Sequence, residues 1–449
     1  MFQKASRWIF VLPLFFALVG PFAFSQEPKA PSLDAAGKQA IVDEISTLLN
    51  KNYIFPDTAK KVEDALRAKL KGGDFDKLDD AREFAQSVSA TVREVSKDKH
   101  TDFAYDPETA EDLRRLAGQS EEEARKVRER QLQEAQRDNF GFRKVELLPG
   151  NIGYIDFRYF ASPDQAGPTA IAAMNFLAYC DAIIVDLRQN GGGSPAQIQL
   201  ICSYFFSDRA HLNDIYIRAA DKMENYWTMP YVPGAKPVNA DLYILTSART
   251  FSGAEEFTYN MKNLKRATVI GETTGGGAHP TKAMIVQKDF ILHVPYARAI
   301  NPVSKTNWEG TGVAPDIAVP AAEAFEKAYA LAVEKLSAKA SDPQRKAQYE
   351  WVLAGMKAKA SPQKLDDKML KTYAGVYGEH KITFENGALY YQRIGPKYRL
   401  VPMTATLFVA EGLEYFRVEF VVKDGKAVEL VGLYDDGRRE HSPRLSGKS

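Results

Sequence analysis

The chain has 449 residues, 45% of them hydrophobic and 26% charged, with a formal net charge of +1. That length accommodates two or three domains with proper cores, and the composition excludes a disordered or fibrous chain. The near-neutral balance gives no sign of the basic surface that nucleic acid requires, so no nucleic-acid partner is expected.

The first stretch, MFQKASRWIFVLPLFFALVGPFAFSQEPKAP, reads as a targeting segment. Lys4 and Arg7 precede an apolar run of about fifteen residues, and Ala23-Phe24-Ser25 offers small residues at the two positions a signal peptidase inspects. The run is short for a spanning helix. Residues 1–25 are therefore expected to be a cleaved secretory signal. The mature chain would start near Gln26, in the periplasm or outside the cell, with no membrane span left. An uncleaved anchor is the competing reading.

Three amphipathic helices follow, marked by Ile41, Ile45, Leu48 and Leu49, by Val62, Leu66 and Leu70, and by Phe84, Val88, Val92 and Val95. They make residues 33–105 a small helical domain that ends just past His100. Residues 106–144 are a charged helical connector with Glu-to-Arg pairs four apart, such as Glu121 and Arg125, the pattern of a solvated helix.

From Val145 the texture changes. The apolar runs IGYIDF, AIIVDL, LYILTS and ATVIG alternate with helix-like segments, which predicts an α/β domain with a mostly parallel sheet over residues 145–320. Runs at 283–286 and 290–294 can pair as a hairpin. A helical segment spans 321–360, broken near Ser341-Asp342-Pro343. Residues 364–449 alternate in period two, with a turn at Glu385-Asn386-Gly387, and read as a small antiparallel β domain.

Several side chains in this frame bear chemistry. In ARTFSGAEEFTYNMKNL, Ser252 and Glu255 form a capping-box spacing ahead of Phe257, Met261 and Leu264. The loop DLRQNGGGSP follows a strand, where α/β folds bind ligands, yet it lacks both the phosphate-loop and the dinucleotide pattern. Its backbone N–H groups suit a developing oxyanion instead. A second run, GETTGGGAHP, reads mainly as tight loop packing. Among six histidines, His211, His380 and His441 read as surface residues, His293 as structural, and His279 as a possible pocket residue. Glu309, beside Trp308 in NWEGTGVAPDI, is either a turn residue or the partner of a histidine. Cys180 and Cys202 could pair or stay as buried thiols. No Cys or His pair has metal-ligand spacing, so neither metal nor cofactor is expected.

Four stretches occur in order: GNIGYIDFRYF, DAIIVDLRQNGGGS, LYILTSARTFSGAEEF with ATVIGETTGGG, and WEGTGVAPDI. Together they resemble the tail-specific, or carboxyl-terminal-processing, serine peptidases. The helical segment ending in KDKH resembles the branch that holds the tricorn core and the interphotoreceptor retinoid-binding proteins. The Ser-Lys branch fits poorly, because the interval from Tyr105 to Glu146 is too short for a PDZ domain. The resemblance implies a crotonase/ClpP-like core and a secreted serine endopeptidase acting on peptides or unfolded proteins through an acyl-enzyme. It assigns Ser252 as nucleophile, His100 as general base and Glu309 as supporting acid. Gly253 would form the oxyanion hole with one N–H of Gly191-Gly192-Gly193, Gly192 being favoured. In that branch a serine precedes the histidine and links it to the glutamate, whereas here the position is Lys99. The retinoid-binding relatives suggest an alternative, a non-catalytic protein that binds apolar ligands or peptides.

Overall fold

The computed structural model describes residues 30–118 and 120–445, so the expected signal segment lies outside the described residues. The chain divides into two compact units, residues up to 146 with 153–325, and residues 147–152 with 326 onward.

Up to residue 325 the chain runs α1 (Ala35–Asn52), α2 (Pro56–Gly72), α3 (Ala81–Ser96), β1 (Asp102–Tyr105), α4 (Pro107–Ala117) and α5 (Glu121–Arg137). There follow β2 (Phe142–Leu148), β3 (Ile152–Phe157), α6 (Pro163–Phe176), β4 (Ala182–Asp186), α7 (Pro195–Cys202), β5 (His211–Ile217) and β6 (Lys222–Trp227). The last elements are β7 (Asp241–Thr246), α8 (Gly253–Asn263), β8 (Ala267–Gly271), β9 (Thr281–Val286), β10 (Phe290–Pro295), β11 (Ala297–Ile300) and β12 (Ile317–Ala318).

The first three helices start where the sequence supplies caps. Asp34 and Asp80 accept backbone N–H groups of the first turns of α1 and α3, and Pro56 opens α2. Their buried residues Ile41, Ile45, Val62, Leu66, Phe84 and Val88 do not close a core alone. The cluster continues into Phe103, Val286, Phe290, Leu292 and Val294. Those residues belong to a three-stranded antiparallel sheet, order β1-β10-β9, so the segment carrying His100 is paired into the later domain.

The central sheet has six strands in the order β12-β8-β7-β4-β3-β2, and β4, β7, β8 and β12 pair in parallel. Strand β4 is buried along its whole length, as a parallel strand covered on both faces must be. Because β4 and β7 are parallel neighbours, the loops that follow them emerge at the same edge. One carries the first glycine run and the other carries Ser252, which brings the two motifs together. A further three-stranded sheet has the order β11-β5-β6.

The charged connector is two helices, α4 and α5, rather than one. Both cysteines are free and buried; burial pushes the Cys180 thiol up to about 11 and holds Cys202 well above its ordinary value. No helix among the described residues is long and apolar enough to cross a membrane.

Beyond residue 325 come the rest of α9 (Ala324–Lys339), then α10 (Pro343–Ala360) and α11 (Asp367–Tyr373). Eight antiparallel strands follow in sequence order: β13 (Gly375–Tyr377), β14 (His380–Glu385), β15 (Ala388–Gln392), β16 (Tyr398–Pro402), β17 (Leu407–Ala410), β18 (Phe416–Lys423), β19 (Lys426–Tyr434) and β20 (Arg439–Pro443). Asn386 and Gly387 turn the β14–β15 hairpin with φ of 49° and 78°. The chain end returns to the first strand: Tyr377 bridges Arg444, and the Leu445 N–H donates to Val376. The sheet thereby closes into a barrel around Tyr373, Tyr377, Phe408, Phe416 and Phe420. His380, read from sequence as a surface residue, is buried inside it and bonds Tyr391 at 2.9 Å. Its polar neighbours mislead; strand alternation turns it inward.

Candidate active site

Ser252 is the N-cap of α8 and has φ 52° and ψ −120°, a conformation that a non-glycine residue adopts only when its surroundings enforce it. Three neighbours do so. The Ser252 N–H donates to Glu255 Oε2 at 2.9 Å, the Phe251 N–H donates to Asn190 O at 3.1 Å, and the Gly275 N–H donates to Thr250 O at 2.9 Å. The hydroxyl of this half-buried serine stands at the N-terminus of an eleven-residue helix, where the dipole favours negative charge.

Glu255 does far more than cap. It is fully buried, and besides Ser252 its carboxylate accepts the Thr274 hydroxyl at 2.5 Å and the N–H groups of Gly276 and Gly277 at 2.6 and 2.8 Å. Burial pushes its carboxyl up, and these four donors pull the other way. The sequence spacing shows the bond to Ser252; the hold on the second glycine run exists only in three dimensions.

The first glycine run presses on the serine turn. A Cβ on Gly192 would stand 2.5 Å from the Gly253 nitrogen and 2.8 Å from Ser252 Cβ, and one on Gly193 would stand 2.3 Å from Phe160 O. With φ of 109° and 138°, both positions call for glycine. Asn190 pins the run by donating to Phe157 O and accepting the Gly192 N–H, each at 2.9 Å. That bond corrects one expectation, since Gly192 has no free N–H for an oxyanion. The Gly191 N–H goes to Arg158 O, which leaves Gly193 as the member of the run with no acceptor among the described residues. Its nitrogen would be 2.8 Å from a Cβ on Gly253.

His100 follows α3 and reaches the site from the helical segment. Its ring lies on Phe251, the residue before Ser252, with centroids 4.6 Å apart, and a Cβ on Gly277 would fall 2.5 Å from its Cε1. Both ring nitrogens are buried and make no hydrogen bond to a described residue. Burial drives the imidazole down to about 4; the Asp98 charge opposes this, and His279 and His293 add to it. The ring is thus neutral at pH 7.

Glu309 is not brought to His100. Its Oε2 accepts the Ala278 N–H at 2.5 Å and lies 3.5 Å from His279 Nδ1, while Oε1 is buried without a partner among the described residues. Burial, and then the Asp98 charge, push its carboxyl up to about 7, against the pull of His279. His279 in turn bonds Asp98 at 2.7 Å. Burial would raise Asp98, but the His279 bond and charge hold it below the ordinary range. The donor atoms of Asp98, His279 and Glu309 fall within 4.8 Å of one another, a spacing a divalent ion would accept, yet the Asp98 bond already occupies the Nδ1 such an ion would need. Lys99 points elsewhere, donating to Gly275 O at 2.5 Å. Trp308 is buried and donates to Gly277 O at 2.6 Å.

Residues 151–319 match peptidase family S41, and residues 35–138 match the N-terminal domain of peptidase S41 in eukaryotic IRBP. The chain belongs to peptidase family S41. It is on that ground a serine-type peptidase. Similar solved structures include a putative peptidase from Parabacteroides merdae, at 20% identity and TM-score 0.48 over 68% of this chain and 99% of that one. The photosystem II D1 C-terminal processing protease is similar at 15% identity and TM-score 0.41, over 63% of this chain and 93% of that one. Tricorn protease is similar at 15% and TM-score 0.40, over 72% of this S41 chain but 37% of its own length. The family membership does not rest on these distant likenesses.

Proposed function

We propose that this S41 peptidase is a secreted endopeptidase that hydrolyses peptides or unfolded proteins through an acyl-enzyme, with Ser252 as nucleophile. The observation that carries the reading is the turn at Ser252: a positive-φ serine at a helix N-terminus, wedged against a glycine run, with an imidazole tilted against the ring of the preceding residue. Ser252 Oγ attacks the peptide carbonyl as His100 takes its proton. The carbonyl oxygen becomes an anion at the start of α8, where the N–H groups of Gly253 and Gly193 are the donors at hand. Collapse releases the amine with the proton from His100, and water then cleaves the ester by the same steps reversed. Buried and neutral at pH 7, His100 is in the state that accepts a proton. Glu309 supports the histidine from a distance. Export is read from residues 1–25 alone, and the substrate class from the family.

The test is digestion of a mixed peptide library by the mature chain and by Ser252→Ala, read by mass spectrometry. Cleavage by the parent and none by the folded variant supports the reading. A library left intact by both sinks it and favours the ligand-binding alternative.

A further inference from the structure

The candidate base and the candidate carboxylate do not touch, but two buried residues span the space between them. Asp98, 1% exposed, accepts the His100 backbone N–H on Oδ1 at 3.0 Å and the His279 ring on Oδ2 at 2.7 Å. The Tyr53 hydroxyl also donates to Oδ2, at 3.2 Å. His279, 5% exposed, stands edge-on to Phe55 with centroids 5.5 Å apart, and its Nδ1 reaches within 3.5 Å of Glu309 Oε2. One continuous chain of contacts therefore runs from the His100 main chain through Asp98 and His279 to Glu309.

We propose that the Asp98–His279 pair is a positioning element of the peptidase, locking the His100 segment to the Gly276–Gly277 loop and joining it to Glu309. The proposal deepens the serine-peptidase reading and rests on it. His100 arrives from the helical segment and Ser252 from the central sheet, so their alignment depends on what ties the two segments. No hydrogen bond holds the His100 ring among the described residues; Phe251 and Gly277 flank it, and Asp98 fixes its backbone. Without the His279 donor, Asp98 is a buried carboxylate short of its strongest partner, and such a group reorients or draws in water. The His100 segment moves with it, and a displacement of about 1 Å near reacting atoms lowers rates by about a hundredfold. The charged and titratable groups facing the pair are Tyr53, His100 and Glu309, with Arg298 beyond Phe55.

The test follows the full chain with a fluorophosphonate probe, which bonds covalently to an activated serine, alongside proton NMR. His279→Leu removes the donor at similar size, while His279→Asn restores an N–H near the place of Nδ1. Labelling of Ser252 is expected to slow about tenfold to a hundredfold in His279→Leu and to recover largely in His279→Asn. A slowly exchanging downfield imidazole N–H signal is expected in the parent and lost in His279→Leu and Asp98→Asn. If the leucine variant fails to fold, Asp98→Asn carries the same expected slowing, since it keeps an acceptor for the His100 N–H. Parental labelling rates in His279→Leu with the signal gone overturn the proposal directly, as does absence of the signal from the parent. A parent that shows the signal but is not labelled at all overturns it through the peptidase reading instead.

Discussion

The serine half of the site and the histidine half are held in different ways. Around Ser252, Glu255 gathers four donors, Asn190 ties down the glycine run, and close packing permits only glycine at 192 and 193. Around His100, two ring nitrogens and one Glu309 oxygen are buried without partners among the described residues, and the polar bonds belong to Asp98 and His279. The first half is preorganised, as a site for developing charge must be, because donors that have to turn during reaction stabilise little. The second half leaves its ring nitrogens without partners among the described residues and fixes them only through their surroundings. An unpartnered imidazole in a buried place also stays neutral, which a base requires.

The contrast is broken most severely by deleting the proposed base. His100→Ala is expected to lower kcat/KM by about 10²- to 10⁴-fold with little change in Tm, because the ring makes no hydrogen bond that folding needs. Parental turnover in that variant would show that the histidine half is not catalytic. Gly193→Ala attacks the serine half by geometry, since its Cβ would collide with Phe160 O. A loss of about a hundredfold or more in turnover is expected, through displacement of the proposed oxyanion donor. Glu255→Gln turns two of the four donors of its carboxylate against an amide NH₂. Urea denaturation should show a loss on the order of 3 kcal/mol.

Two pH measurements sharpen the comparison. The acid limb of kcat/KM should fall near pH 4, since activity is lost as pH drops through the lowered value of His100. A limb near 6.5 would mean that the ring is solvated. The second measurement concerns Glu309, raised on folding to about 7. A carboxyl raised in this way favours the folded state fully at low pH and loses that contribution as pH rises through the folded value. The stability of Glu309→Gln relative to the parent should therefore improve between about pH 4.5 and 7, by at most on the order of 3 kcal/mol. A flat difference would place the carboxylate in water.

The serine half was the more legible in sequence for the same reason that it is the better ordered. Ser252 and Glu255 are three apart on one helix, and the glycine run follows a parallel neighbour strand, so spacing and alternation already point to the arrangement. What escaped was the second use of each residue: Glu255 holding Gly276 and Gly277, and Asn190 taking the Gly192 N–H, which leaves Gly193 as the proposed donor. The histidine half joins positions 98, 279 and 309, and no local pattern links Asp98 to a histidine 181 residues away. The barrel was readable strand by strand from its alternation and from the Asn386-Gly387 turn. Its closure was not, because Tyr377 and Arg444 meet only once the eight strands have curled round, and His380 counts as buried only inside that closed shape.

The shared core of the helical segment has a consequence for the order in which the chain matures. The apolar faces of α1 to α3 are completed by Val286, Phe290, Leu292 and Val294, which leave the ribosome roughly 200 residues later. At about 5–20 residues per second, those helices wait on the order of 10–40 s with their inner faces uncovered. The barrel, whose strands pair with their neighbours in sequence, waits for little beyond its own last strand. Within the unit that ends at residue 325, the helical segment is thus among the last parts to become native, and a chaperone has most to do for the segment that delivers His100.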